Sequence, residues 1–118
     1  MTIKQEKLFL EVESVMTDNP FVIKVISILP VAALILPDSW LIVFNPDLFQ
    51  EPPEEILIHE CLHYCRGKNT DYDWSDAKIQ LKAEKLYESL PQDKKKKLDF
   101  YFSFLAGEDA AHQILKED

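Results

Sequence analysis

Between Pro52-Pro53 and Gly67 lies a ten-residue run, Ile56 to Cys65, in which only His59, Glu60, His63 and the Tyr64 hydroxyl are polar. Read as a helix, the run is apolar almost all round, which requires packing on most of its sides. An ionised carboxylate buried there without a partner costs several kcal/mol or more. The fold must therefore bring Glu60 a cleft, a cation or a proton. Glu54 and Glu55 stand in the first turn, where negative charge suits the helix dipole, and Gly67 is placed as the stop. At about 100° per residue, His59 and His63 share one face, with Glu60 one step round.

Two imidazoles four apart with a carboxylate beside them form the His-Glu-x-x-His pattern, which holds zinc and a general base. The competing reading is a surface helix whose imidazoles are merely solvated. The flanking Ile56, Leu57, Ile58 and Leu62 argue against it. Cys61 and Cys65 each lie two residues past a histidine, rotated roughly 200° from the metal face, so buried thiols are expected there. A disulfide between positions four apart on one helix is geometrically awkward.

Catalytic zinc commonly takes three protein ligands and leaves a fourth position for water. Glu84, twenty-one residues past His63, lies on the flank of an apolar stripe formed by Ile79, Ala83, Leu86 and Leu90, where core meets cleft. It is the favoured third ligand. Glu88, one turn on, suits a hydrogen bond to a ligand histidine. Asp76 competes because it falls within the stripe, although a capping or first-turn role on that helix beside Ser75 is the favoured explanation. Asp71 and Asp73 are weaker candidates, and Glu108 with His112 forms another pair four apart.

The rest of the 118 residues reads as one α+β domain. Ile3 to Met16 predicts a covering helix ended by Thr17-Asp18-Asn19-Pro20. Phe21–Leu29, Val31–Leu36 and Trp40–Asn45 predict three strands, the last two joined as a hairpin by Pro37-Asp38-Ser39. Trp74–Leu90 predicts a helix closed by Pro91, and Gln92–Leu105 another that Gly107 breaks. The run Lys94-Lys95-Lys96-Lys97 reads as a solvated helix face. Residues 1–107 are expected to form the domain and 108–118 an amphipathic tail.

Twenty-one acidic against thirteen basic residues give a net charge of −8, which argues against nucleic acid or an anionic membrane as partner. The apolar stretch from Phe21 to Phe44 is interrupted by Lys24, Pro30, Pro37 and Asp38, so no membrane span is expected. The opening residues lack a signal-peptide pattern, and a cytoplasmic location is expected.

The order of helix, strands, Asn45-Pro46 loop, Glu54-Glu55, His59-Glu60-x-x-His63 and a helix bearing Glu84-x-x-x-Glu88 resembles the gluzincin branch of zinc peptidases. Its size is similar to that of the minigluzincins, minimal soluble members of that branch. The resemblance implies a zincin-like fold, a Zn²⁺ ion on His59, His63 and Glu84, and Glu60 as general base in peptide hydrolysis. Trp40–Asn45 or its hairpin partner would then offer an edge strand to a peptide or protein substrate. It also implies latency, either through self-association as a homo-oligomer or through a tail whose His112 and Asp118 fill the cleft or cap zinc. Glu88 stands where the family has Asp. A metzincin is disfavoured, since Arg66 and Asn69 replace that family's glycine and third histidine. Phage-immunity-type metallopeptidases share a similar strand-loop-helix order, and a zinc-binding or metal-free regulatory module without turnover is the alternative.

Overall fold

A computed structural model describes residues 1–116. Helix α1 spans Ile3–Thr17, and its N-terminus is closed by a capping box in which Thr2 and Gln5 exchange hydrogen bonds. Three short strands follow: β1 at Val22–Val25, β2 at Ala33–Leu36 and β3 at Leu41–Phe44. Helix α2 covers Pro53–Arg66, α3 Asp76–Ser89, α4 Gln92–Ala106 and α5 Glu108–Leu115. The α+β class and the expected elements are present, with strands shorter than their apolar runs.

The strand order is β1-β3-β2, with β1 parallel and β2 antiparallel to β3. The expected hairpin is therefore β2–β3, and it turns through a 3₁₀ segment at Pro37–Ser39. Trp40 ends that segment in the left-handed region at φ 52°. A bulky residue there is strained, and its indole is held edge-on by Phe21 and stacked near Tyr64. Because β3 is central, Trp40–Asn45 is not an edge. The free edge facing α2 belongs to β2.

Alternation across the sheet sends Ile23, Ile42 and Phe44 into a core with Phe9 and Val12 of α1, Leu57, Ile58 and Leu62 of α2, Ile79 and Leu86 of α3, and Leu98 and Phe102 of α4. Ile56, Leu57, Ile58, Cys61 and Leu62 are buried, as the apolar run requires. Ala111 and Ile114 of α5 join the same core, docked against α4 and β1. The tail through Leu115 is thus an element of the domain rather than a separate appendage.

The lysine run is engaged rather than simply solvated. Lys94 lies over the Phe9 ring at 5.0 Å and Lys95 over Tyr87 at 4.5 Å. Lys97 pairs at 2.6 Å with the buried Glu13, which also accepts from the Tyr101 hydroxyl at 2.7 Å. Two cationic heads sit on aromatic faces and the third neutralises a carboxylate the core would otherwise bury uncompensated. Among the described residues no helix is long and apolar enough to cross a membrane.

Candidate metal site and cleft

Helix α2 carries the motif. With Pro53 at its first position and Glu54 and Glu55 in the first turn, it runs past His59 and His63 to Gly67. Gly67 serves close approach rather than a left-handed turn: its φ is −84°, and a Cβ there would stand 2.3 Å from the His63 carbonyl oxygen. The two imidazoles lie on one face, and their Nε2 atoms converge to 2.9 Å. A tetrahedral zinc with bonds of about 2.05 Å holds two ligand nitrogens about 3.3 Å apart. The pair therefore needs only a few tenths of an ångström of movement to share an ion.

Glu60 is buried, at 8% exposure, and its carboxylate accepts the Ile35 backbone N–H. Burial pushes its pKa up to about 7, and that hydrogen bond opposes the rise. Burial and then His63 lower the pKa of His59, favouring the neutral imidazole a metal requires. The bond from Asn45 N–H to the Ala32 carbonyl sets the hairpin alternation. By it Ala33 and Ile35 turn their backbone groups outward from β3, toward α2.

Two cavities meet at His59 and Glu60. The larger, about 730 Å³, runs along β2 past Ala33 and Ile35 to His63, Tyr64 and the loop at Asn69. The smaller, about 200 Å³, is acidic, with Glu51, Glu55 and Gln80 in its wall. Asn45 stiffens the cleft from behind: its amide donates to the carbonyls of Ser27 and Leu29, at 3.3 and 2.8 Å, holding the β1–β2 loop.

The pairing of α2 with α3 decides which α3 residues stand opposite the histidines. Ser75 caps α3, its hydroxyl accepting from Lys78 N–H, so Asp76 is the first helical residue. The helices run antiparallel, and each turn down α3 meets one turn back along α2. Asp76 stands 3.8 Å from His63 Nδ1, Gln80 hydrogen-bonds His59, and Glu84 falls opposite Glu55. Burial raises the Glu55 pKa, and the like charges of Glu51 and of the exposed Glu84 and Glu88 add to the rise. The residue facing the histidines one turn earlier is a neutral amide.

Among the described residues, no group of three or more histidine, cysteine or acidic side chains is gathered around one metal position. Asp76 is on the His63 side of the cleft, beyond hydrogen-bond reach of Nδ1, and its side chain is 95% exposed. A neutral amide such as Gln80 carries no charge pattern by which periodicity alone marks a ligand position. The signal that finds it is the helix start at Ser75, from which the antiparallel register follows.

Cys61 is fully buried and Cys65 half-buried, and burial raises both thiols. His112, on α5, belongs to the β1 edge of the sheet, opposite the β2 edge that forms the cleft, and no α5 residue lines either cavity at the histidines. Asp118 lies outside the described residues. Tyr72 holds its ring against the Arg66 guanidinium at 3.6 Å and also lines neither cavity. No family model, curated protein or solved structure matches the chain.

Proposed function

We propose that the cleft hydrolyses peptide bonds, with His59 and His63 holding a divalent ion, zinc by ligand type, and Glu60 transferring the proton. The observation that carries this reading is the convergence of two Nε2 atoms at 2.9 Å beside a buried carboxylate in an open cleft. When bound, zinc supplies an acidified water and polarises a carbonyl. Glu60, steadied by the Ile35 N–H, accepts a proton and returns it to the leaving amine. The outward backbone of Ala33 gives an extended peptide a strand edge to pair with. Asp76 Oδ1 lies 3.8 Å from His63 Nδ1, on the side from which a carboxylate orients a ligand histidine. The Gln80 amide is the nearest α3 group to His59.

A second reading, a zinc-binding or metal-free interaction module without turnover, is favoured by one observation: that amide stands where a catalytic site carries a third ionic donor. Zinc titration of the chelator-stripped full chain, alongside fluorogenic-peptide cleavage, separates the two. The hydrolase reading expects one zinc per chain, lost in His59→Ala and in His63→Ala, and cleavage abolished by chelator. Full zinc occupancy with no cleavage supports the module, and no zinc binding at all overturns the metal assignment.

A further inference from the structure

Helix α3 has two flanks of opposite sign. Asp76, Gln80 and Glu84 face α2, while Lys78, Lys82 and Lys85 turn the other way. A cavity of about 290 Å³ opens on that second flank, between α3 and α1. Lys4 and Lys7 line it from α1, Lys82 and Lys85 from α3, and Arg66 from the end of α2, over the buried Leu8 and Leu86.

Five cations around one cavity are unexpected in a chain of 21 acids and 13 bases. The one acid in the lining, Glu11, is taken by Arg66. No carboxylate pairs with Lys4, Lys7, Lys82 or Lys85 among the described residues. Arg66 is clamped between the rings of Tyr72 and Trp74, at 3.6 and 4.8 Å, and its Nε is buried without a hydrogen-bond partner among the described residues. Apart from the Arg66–Glu11 pair, the fold thus holds four lysines around the cavity with no paired carboxylate among the described residues, an arrangement that favours an outside anion.

We propose that this groove docks an acidic peptide segment of a partner protein, with one apolar side chain seated on Leu8 and Leu86 and flanking carboxylates meeting the two lysine rims. Lys4 to Lys7 and Lys82 to Lys85 each span about 4.5 Å of helix, the reach of one or two extended residues on either side of the seated apolar one. Lysines act as point charges tolerant of carboxylate spacing, whereas nucleic acid would bring its long polyanion against a molecule of net charge −8. The docking site stands independently of whether the cleft turns substrate over.

The test uses the full chain and a fluorescein-labelled Asp-Glu-Leu-Glu-Asp peptide, read by anisotropy at about 50 mM salt, where surface charges are weakly screened. Saturable binding is expected, weakened about tenfold or more in Lys82→Glu/Lys85→Glu and in Lys4→Glu/Lys7→Glu. Both variants should melt as the parent does, since these lysines hold no folded carboxylate. The Asn-Gln-Leu-Gln-Asn peptide should not bind. Equal affinity in both double variants, equal binding of the neutral peptide, or no binding of the acidic one would overturn the assignment. Saturable tripolyphosphate binding without peptide binding would replace it with a small-anion site.

Discussion

Replacing Gln80 by Glu tests the register that brings α3 to the histidines. The Gln80 side chain bonds two groups, Glu55 and His59. The Glu55 carboxylate can only accept, so the amide NH₂ donates to it and the amide oxygen is left to accept from the His59 ring N–H. Gln80→Glu keeps the second bond and turns the first into an opposition of two carboxylates. Loss of a hydrogen bond to a charged group costs about 1.5–3 kcal/mol, and the added repulsion brings the metal-free cost at pH 8 to about 3 kcal/mol. For 118 residues the unfolding entropy makes each kcal/mol worth about 4 °C, so melting should fall by about 12 °C. Burial and neighbouring carboxylates already raise the Glu55 pKa, so the deficit should shrink as pH is lowered toward 5. Zinc should reverse the deficit by another route. A carboxylate facing His59 raises metal affinity by about 10- to 100-fold, and saturating zinc then restores about 2 kcal/mol beyond what it adds to the parent. Thermal melts of both proteins, with chelator and with zinc, at the two pH values, read all four quantities. A variant that melts with the parent at pH 8 without metal, and shifts no further with zinc, would refute the register.

Other parts of the framework make separate predictions. Burial, then a hydrogen bond that protonated Glu54 donates to Asp99 and the charge on that neighbour, raise Glu54 to about 7. A folded pKa above the unfolded value means stability present below about pH 4.5 and lost as pH rises through 7; after discounting for its partial exposure, Glu54→Gln should gain about 1–2 kcal/mol at pH 8 and nothing at pH 4, by urea denaturation. Gly67→Ala forces a Cβ against the His63 carbonyl and should cost about 1–3 kcal/mol in the same assay, with weaker zinc binding as His63 shifts. Asn45→Ala strips the Ser27 and Leu29 carbonyls of their donor and should cost about 2–3 kcal/mol, with faster amide exchange in the β1–β2 loop.

The elements were legible wherever local chemistry decides them. Thr17-Asp18-Asn19-Pro20 announces the end of α1, Pro53 and Glu54-Glu55 the start of α2, and the Ile79–Leu90 stripe the body of α3. The paired histidines were legible because four residues make nearly one helical turn, whatever the tertiary fold. The third position was not, because it depends on how far α3 slides along α2, and that is set by the length of the loop from Gly67 to Ser75 and by packing of Ile79 and Leu86. The periodicity of Glu84 is the same as that of Gln80, so spacing alone could not choose between neighbouring turns. The tail was misjudged for a similar reason. Its apolar face was visible, but whether Ala111 and Ile114 cover β1 or the cleft depends on strand order, and the parallel pairing of β1 with β3 is non-local. The role of the lysine run lay likewise in partners distant in sequence, Phe9 and Glu13 on α1 and Tyr87 on α3.

The central claim is that one helical face pairs two metal-holding imidazoles with a carboxylate that moves the proton. Glu60→Gln keeps the shape of that side chain and removes its basicity. At equal zinc occupancy, measured on the same samples, hydrolysis of a fluorogenic peptide should fall by about 10³-fold while zinc stays at one per chain. Hydrolysis undiminished in the zinc-loaded Glu60→Gln chain, or a parent chain that binds no zinc, would contradict the account.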